Sequence, residues 1–244
     1  MKVTLLGTSG GIPLPGRAQA GVLIESSKKK LLLDCGMGVP LRLAEAGIDA
    51  EDIDIICITH GHLDHIQDLP SLTKASWLNV GKADYEMIVP LNLKEKLIRF
   101  WRSLDEYERT DLDFKILKPG DHFKEKLNIR PFKTNHTVSS QGYHITDGEV
   151  NVVYTGDTTP CREVKDVSKN SDILIHELSL LEESELHTSP HSLISEISDI
   201  EVGELILTHF YPPVAEKADE LAKEIGQKTG IPTKAGEDLQ EYKL

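Results

Sequence analysis

Short apolar runs broken by Gly, Pro, Asp and Ser mark the first third of the chain. Residues 3–6, 21–25 and 31–34 read as strands, with a Gly/Pro-rich loop at 7–13 between the first two. Residues 39–46 carry helical spacing and stop at Gly47. The unbroken apolar run at 53–59 is that of a buried strand. A helix over 69–78 and a strand over 85–89 follow. Leu93, Leu97, Trp101 and Leu104 then recur at helical spacing, with Lys94, Lys96, Arg99 and Arg102 around them, as in an amphipathic helix. Strands return at 128–135, 142–146 and 151–154, the last two joined by the Asp147 and Gly148 turn of a hairpin. Further buried strands at 172–175 and 205–208 alternate with helical patterns at 161–167, 192–197 and 214–225. The pattern runs from β-rich with a few helices to the same again. It predicts an α+β domain spanning 1–244, with two sheets packed face to face and helices outside.

Composition leaves that picture intact and narrows the setting. Hydrophobic residues make up 39% and charged residues 27% of 244, ordinary for a globular chain. No apolar stretch reaches membrane-spanning length, so no membrane partner is expected. The start of the chain enters a strand at once, leaving no room for a signal peptide. Cys35, Cys57 and Cys161 are odd in number and lack C-x-x-C spacing, which argues against a disulfide framework or a Cys-based zinc site and suggests a reducing cytoplasm. The net charge of −13 argues against a general nucleic-acid platform. The charge is uneven, however. Residues 86–133 hold 11 Lys/Arg against 9 Asp/Glu, whereas 147–206 hold 3 against 14.

The chemistry concentrates where the run at 53–59 ends. His60, His62, Asp64 and His65 fall within six residues on one expected strand-end loop. Imidazole and carboxylate suit a borderline divalent ion such as zinc. One loop cannot complete two coordination shells. His136, Asp157 and His209 each lie just past a predicted strand, where a buried strand surfaces.

Together these residues resemble the metallo-β-lactamase superfamily. Asp34 in Leu33, Asp34, Cys35, Gly36 resembles its first motif, His60-x-His62-x-Asp64-His65 matches the second, and His136, Asp157 and His209 fall in order for the rest. The fold implied is an αβ/βα four-layer sandwich. The opening Leu5, Leu6, Gly7, Thr8 with Arg17, and the closing Leu207, Thr208, His209, Phe210, are similar to the ribonuclease Z branch of phosphodiesterases. Met37 stands where that branch has Glu, and Tyr211, Pro212, Pro213 depart from its ending. His136 and Asp157 are 21 residues apart, too close for the branch's long basic arm. The resemblance implies two divalent ions, zinc first, with manganese or iron as alternatives. His60, His62 and His136 would hold one, Asp64, His65 and His209 the other, and Asp157 would bridge. A metal-bridging hydroxide would attack an anionic phosphodiester, either an RNA 3′ end or a small or cyclic diester. Asp64 would take a proton, and His191, oriented by Glu177, would supply one to the leaving oxygen, with His187 as the rival donor. Asp34 would brace a ligand imidazole, and Gly7, Gly10 and Gly11 would present N–H groups to phosphate. A homodimer is compatible with all of this.

Two other readings stand beside it. One is a small-molecule ester, lactone or thioester hydrolase of the same superfamily. The other, of a different class, is a non-catalytic binding protein stabilised by metal.

Overall fold

The computed structural model describes residues 1–26, 29–104, 113–124 and 127–244. The first sheet contains β1 (Lys2–Gly7), β2 (Gly21–Glu25), β3 (Lys30–Leu33), β4 (Ile55–Cys57), β5 (Glu86–Val89), β6 (Asp113–Ile116) and β14 (Glu241–Lys243). Their order is β14-β1-β2-β3-β4-β5-β6. The second contains β7 (Phe123–Lys124), β8 (Asn128–Lys133), β9 (Gln141–Thr146), β10 (Asn151–Tyr154), β11 (Ser171–Glu177), β12 (Val202–Thr208) and β13 (Thr233–Ala235). That sheet runs β13-β12-β11-β10-β9-β8-β7.

Strand period explains the layering. Successive side chains point to opposite faces. Val3, Leu5, Val22, Ile24, Leu31 and Leu33 of the first sheet meet Ile129, Ile145, Val152, Ile173 and Ile206 of the second in one core. The alternate residues Leu6, Leu23, Leu32 and Ile56 pack outward under α1 (Val39–Glu45), α3 (Leu69–Val80) and α4 (Lys94–Arg102). On the other side Val153, Leu174, Leu205 and Leu207 pack under α5 (Arg162–Ser168), α6 (Pro190–Ile197) and α8 (Ala218–Thr229). Both faces of the central strands are therefore dry, which is why they read as continuous apolar runs. The layers are helix, sheet, sheet, helix, as the pattern predicts.

Strand direction places the functional residues. β8 and β10 both pair antiparallel with β9, so they point the same way, and β10, β11 and β12 are parallel. Their C-terminal ends lie at one edge of the second sheet, which His136, Asp157 and His209 follow. In the first sheet β3 and β4 are parallel, so Asp34 and His60 leave at one edge as well. Tyr154 ties the two edges together, its hydroxyl donating to Asp34 Oδ2 at 2.9 Å across the sandwich.

Three expectations need correction. The cluster loop is not all loop, since α2 (Leu63–Ile66) turns through Asp64 and His65. The helix expected over 214–225 is two, α7 (Pro212–Ala215) and α8, broken at Glu216 and Lys217. Pro212 and Pro213 start the first as N-terminal prolines, which lack N–H donors that would go unused there. Edge strands β6, β7, β13 and β14 are additions that the apolar pattern does not predict. No helix among the described residues is long and apolar enough to cross a membrane.

Candidate metal centre

Extended backbone at His62 and the short turn of α2 bring His60, His62, Asp64 and His65 together, where three residues of the second sheet's edge meet them. His60 Nε2 lies 2.9 Å from His62 Nδ1, and His136 Nε2 lies 3.2 Å from the same atom. Asp157 Oδ2 stands 3.7 Å from His60 Nε2 and 3.6 Å from His136 Nε2. The other oxygen of Asp157 faces a second group. Oδ1 is 3.1 Å from His65 Nε2 and 3.2 Å from His209 Nε2. Asp64 Oδ2 sits 3.2 Å from His209 Nε2 and 3.7 Å from His65 Nε2.

These donors fit a pair of divalent ions. Tetrahedral zinc with ordinary bond lengths sets neighbouring ligand atoms about 3.3 Å apart, close to the spacing in both groups. The buried Asp157 Oδ1 has no hydrogen-bond donor, an unfavourable state for a carboxylate oxygen away from water. Among the described residues no Lys or Arg pairs with Asp157 or Asp64. A cation between the groups would satisfy both carboxylates.

The far side of most rings is held. Asp34 leaves β3 with a positive φ of 57°. Its Oδ2 accepts from His65 Nδ1 at 2.8 Å and from Thr59 Oγ1 at 2.9 Å, and Oδ1 accepts from Thr59 N at 2.8 Å. That bond puts the His65 proton on Nδ1 and leaves Nε2 as a donor atom for the cluster. Ser179 Oγ is 2.9 Å from His209 Nδ1, Thr59 Oγ1 is 3.0 Å from His60 Nδ1, and the Leu186 carbonyl is 3.2 Å from His136 Nδ1.

Electrostatics divides the groups. Burial opposes a charge on His65 and His209, yet the carboxylates beside them, Asp157 and Asp34 for His65 and Asp157 and Asp64 for His209, hold both pKa values above the ordinary imidazole value. His60 is lowered by burial and by His65, and His136 chiefly by burial, with Asp157 opposing in both cases. Asp64 and Asp157 stay well below the usual carboxylate range despite burial, because imidazoles surround them.

His191 is not brought to this cluster. It occupies the first turn of α6, where Ser189 and Ser192 form a capping box, and its exposed ring faces Glu183 at 3.6 Å. The expected pairing of His191 with Glu177 is therefore corrected. Glu177 Oε1 instead accepts from His187 Nδ1 at 3.0 Å, and the carboxylate also accepts from Thr158 N at 2.8 Å and from the Ser179 hydroxyl. His187 Nδ1 lies 4.0 Å from Asp157 Oδ2, and its ring stacks 5.5 Å from that of His209. Burial opposes its charge, but the Glu177 hydrogen bond raises its pKa. Asp157, His187 and His209 also present donor atoms within 4.8 Å of one another. The Gly10 N–H is spent on the Phe210 carbonyl at 3.0 Å, so it does not offer a phosphate contact. Ser179, Thr59 and the Leu186 carbonyl had no role predicted for them. Of these, only Ser179 carried a signal, two residues after Glu177.

Comparison with known proteins adds the following. Residues 1–228 match the family described as Anti-Pycsar protein Apyc1. A ribonuclease Z of Mycobacterium sp. (strain KMS) is 28% identical over 277 aligned positions, covering 100% of this chain and 96% of that protein. That alignment is longer than the 244 residues here, so the mycobacterial protein carries segments this chain lacks. The metallo-β-lactamase fold protein YhfI from Bacillus subtilis superposes with a TM-score of 0.83 at 26% identity, over 99% of this chain and 98% of that one. The human short-form tRNase Z superposes with a TM-score of 0.76 at 21% identity, over 100% and 99%.

Proposed function

This chain belongs to the Anti-Pycsar protein Apyc1 family, within the ribonuclease Z-like branch of the metallo-β-lactamase superfamily, and from that premise we propose that it is a two-metal phosphodiesterase. One observation carries the reading: the Asp157 carboxylate turns one oxygen to each of two donor groups. His60, His62 and His136 would hold one ion, and Asp64, His65 and His209 the other, with zinc the best match to the donor set. When bound, the ions supply Lewis acidity toward a phosphoryl group and lower the pKa of a water to about 7.

The chain's own residues do the rest. Asp64 is the least enclosed of the second group's donors, which supports it as the proton acceptor, through Oδ2. His187 donates through Nδ1 to Glu177, which leaves Nε2 as the nitrogen that carries a proton to the leaving oxygen. Glu177 fixes that tautomer and is itself held by three other donors from the surrounding loops. Asp34 orients His65 in the same way. The relatives named ribonuclease Z and tRNase Z support an RNA diester as one substrate class, and the short spacing from His136 to Asp157 supports a small or cyclic diester as the other.

The test is hydrolysis of bis(p-nitrophenyl) phosphate by metal-loaded protein. Turnover removed by chelator and by His62→Ala is the expected result. Absence of turnover with zinc, manganese and iron alike would overturn the reading. Unfolding on chelation, rather than mere loss of turnover, would favour a structural metal instead.

A further inference from the structure

One carboxylate outside the ligand cluster gathers donors from both ends of a loop and from a helix. Asp238 lies in the segment between β13 and β14, and its side chain is only 5% exposed. Its Oδ1 accepts from Thr8 N at 3.1 Å and from Thr8 Oγ1 at 2.7 Å. Its Oδ2 accepts from Ala18 N at 2.6 Å and from Arg42 Nε of α1 at 3.0 Å. Thr8 and Ala18 stand near the two ends of the loop that joins β1 to β2. Arg42 also reaches the middle of that loop, donating to the Gly16 carbonyl at 2.7 Å. Arg17 ties Thr8 Oγ1 to the Gly236 carbonyl, at 2.5 and 2.7 Å, with its guanidinium 5.1 Å from the centre of the Phe210 ring.

The loop depends on such anchors. It holds Gly10, Gly11, Pro13, Pro15 and Gly16 and contains no helix or strand of its own. Hydrogen bonds to an ionised carboxylate are about twice as strong as neutral ones. What the loop touches is His209. Phe210 N donates to Thr8 O at 2.9 Å, and Gly10 N donates to Phe210 O at 3.0 Å, so the two backbones run side by side past this donor. His209 has a φ of 61°, a left-handed conformation that a residue with a side chain keeps only where its surroundings impose it. A Cβ at Gly10 would stand 2.9 Å from His209 Cε1, so the loop backbone closes directly against the imidazole.

We infer that Asp238 is a positioning residue for His209. It clamps the loop at both ends, and the loop in turn sets the backbone turn and the ring of that donor. This rests on the two-metal reading and adds a remote support to it. Asp34 and Ser179 hold their imidazoles by direct contact, whereas Asp238 acts by way of Thr8 and Gly10.

The test is zinc binding by the metal-free chain, read by competition with a chromogenic chelator. Asp238→Asn keeps the volume but turns an amide N–H toward groups that are themselves donors. It should weaken one of two zinc steps by about tenfold, the lower end for an outer partner of a metal ligand, and spare the other. The step that survives in His209→Ala should be untouched by adding Asp238→Asn, and the step that survives in His136→Ala should be weakened tenfold by it. Asp54→Asn is the control. Asp54 clamps Lys30 N at 2.8 Å at the opposite edge of the first sheet, and its loss should move neither step. Thr8→Val removes one of the four bonds and should act on the same step by a smaller factor, which decides the matter if Asp238→Asn does not fold. Unchanged binding, equal weakening in both backgrounds, or an equal effect of Asp54→Asn overturns the inference. If the wild-type chain binds no zinc, the two-metal reading fails, and the role of Asp238 is decided by imidazole NMR of the metal-free chain. The histidine signal missing from His209→Ala should then shift in Asp238→Asn and stay in place in Asp54→Asn; a signal unmoved in Asp238→Asn overturns it.

Discussion

His65 and His209 are backed by buried side chains, whereas the imidazoles of the other donor group face a backbone carbonyl, one hydroxyl and open cavity. Asp34 and Ser179 hold the first pair from behind, and Asp64 adds a carboxylate in front. His60, His62 and His136 bring no carboxylate of their own and share only Asp157. The pKa directions report the same contrast, with positive charge favoured at His65 and His209 and disfavoured at His60 and His136. The difference teaches that the two donor groups are not equivalent. On the proposed two-metal reading, the enclosed, carboxylate-rich group would retain its ion and the open one would meet substrate.

Asp157 belongs to both halves, so its loss should erase the contrast. Asp157→Ala should lower kcat/KM by roughly 10⁴-fold or more, the upper end of what one catalytic group supplies, and metal analysis should find fewer than two ions per chain. Retained activity would show that no shared carboxylate is needed. Next comes His187, the proton donor proposed for the enclosed side. With a dinucleotide, whose leaving oxygen needs a proton, His187→Ala should lower kcat by about 10²–10³-fold, and His191→Ala should leave it unchanged. The opposite ranking would return the role to His191. A smaller and more selective effect is expected from Asp34→Asn. It should weaken one of two zinc-binding steps by about 10–100-fold and leave the other in place, as read by competition with a chromogenic chelator. Equal weakening of both steps would break the division into halves. Ser179→Ala should act in the same direction on the same step, by about tenfold or less, because Ser179 offers a neutral hydroxyl where Asp34 offers a charge.

Legibility in the sequence follows the same physical lines. The central strands were readable because both their faces are buried, and the donors because each follows such a strand. Edge strands were not. Thr233–Ala235 and Glu241–Lys243 are three residues each, mostly polar, and exist through pairing with β12 and β1. α2 was hidden because its four residues include two cluster side chains, leaving no apolar period to see. His191 looked better than His187 because Ser192 follows it and a helix begins there. The capping box that starts this helix is what turns His191 outward. The Glu177 partner of His187 is ten residues away in sequence and is joined only by the return of the loop to β11.

The central claim is that two ions, joined by Asp157, make one hydrolytic site. Its most direct test is a zinc titration of the metal-free chain, with bound zinc and turnover of bis(p-nitrophenyl) phosphate followed together. Turnover that stays low through the first equivalent and rises to a plateau at the second is the predicted result. A plateau at one equivalent, or two bound equivalents without turnover, would contradict it.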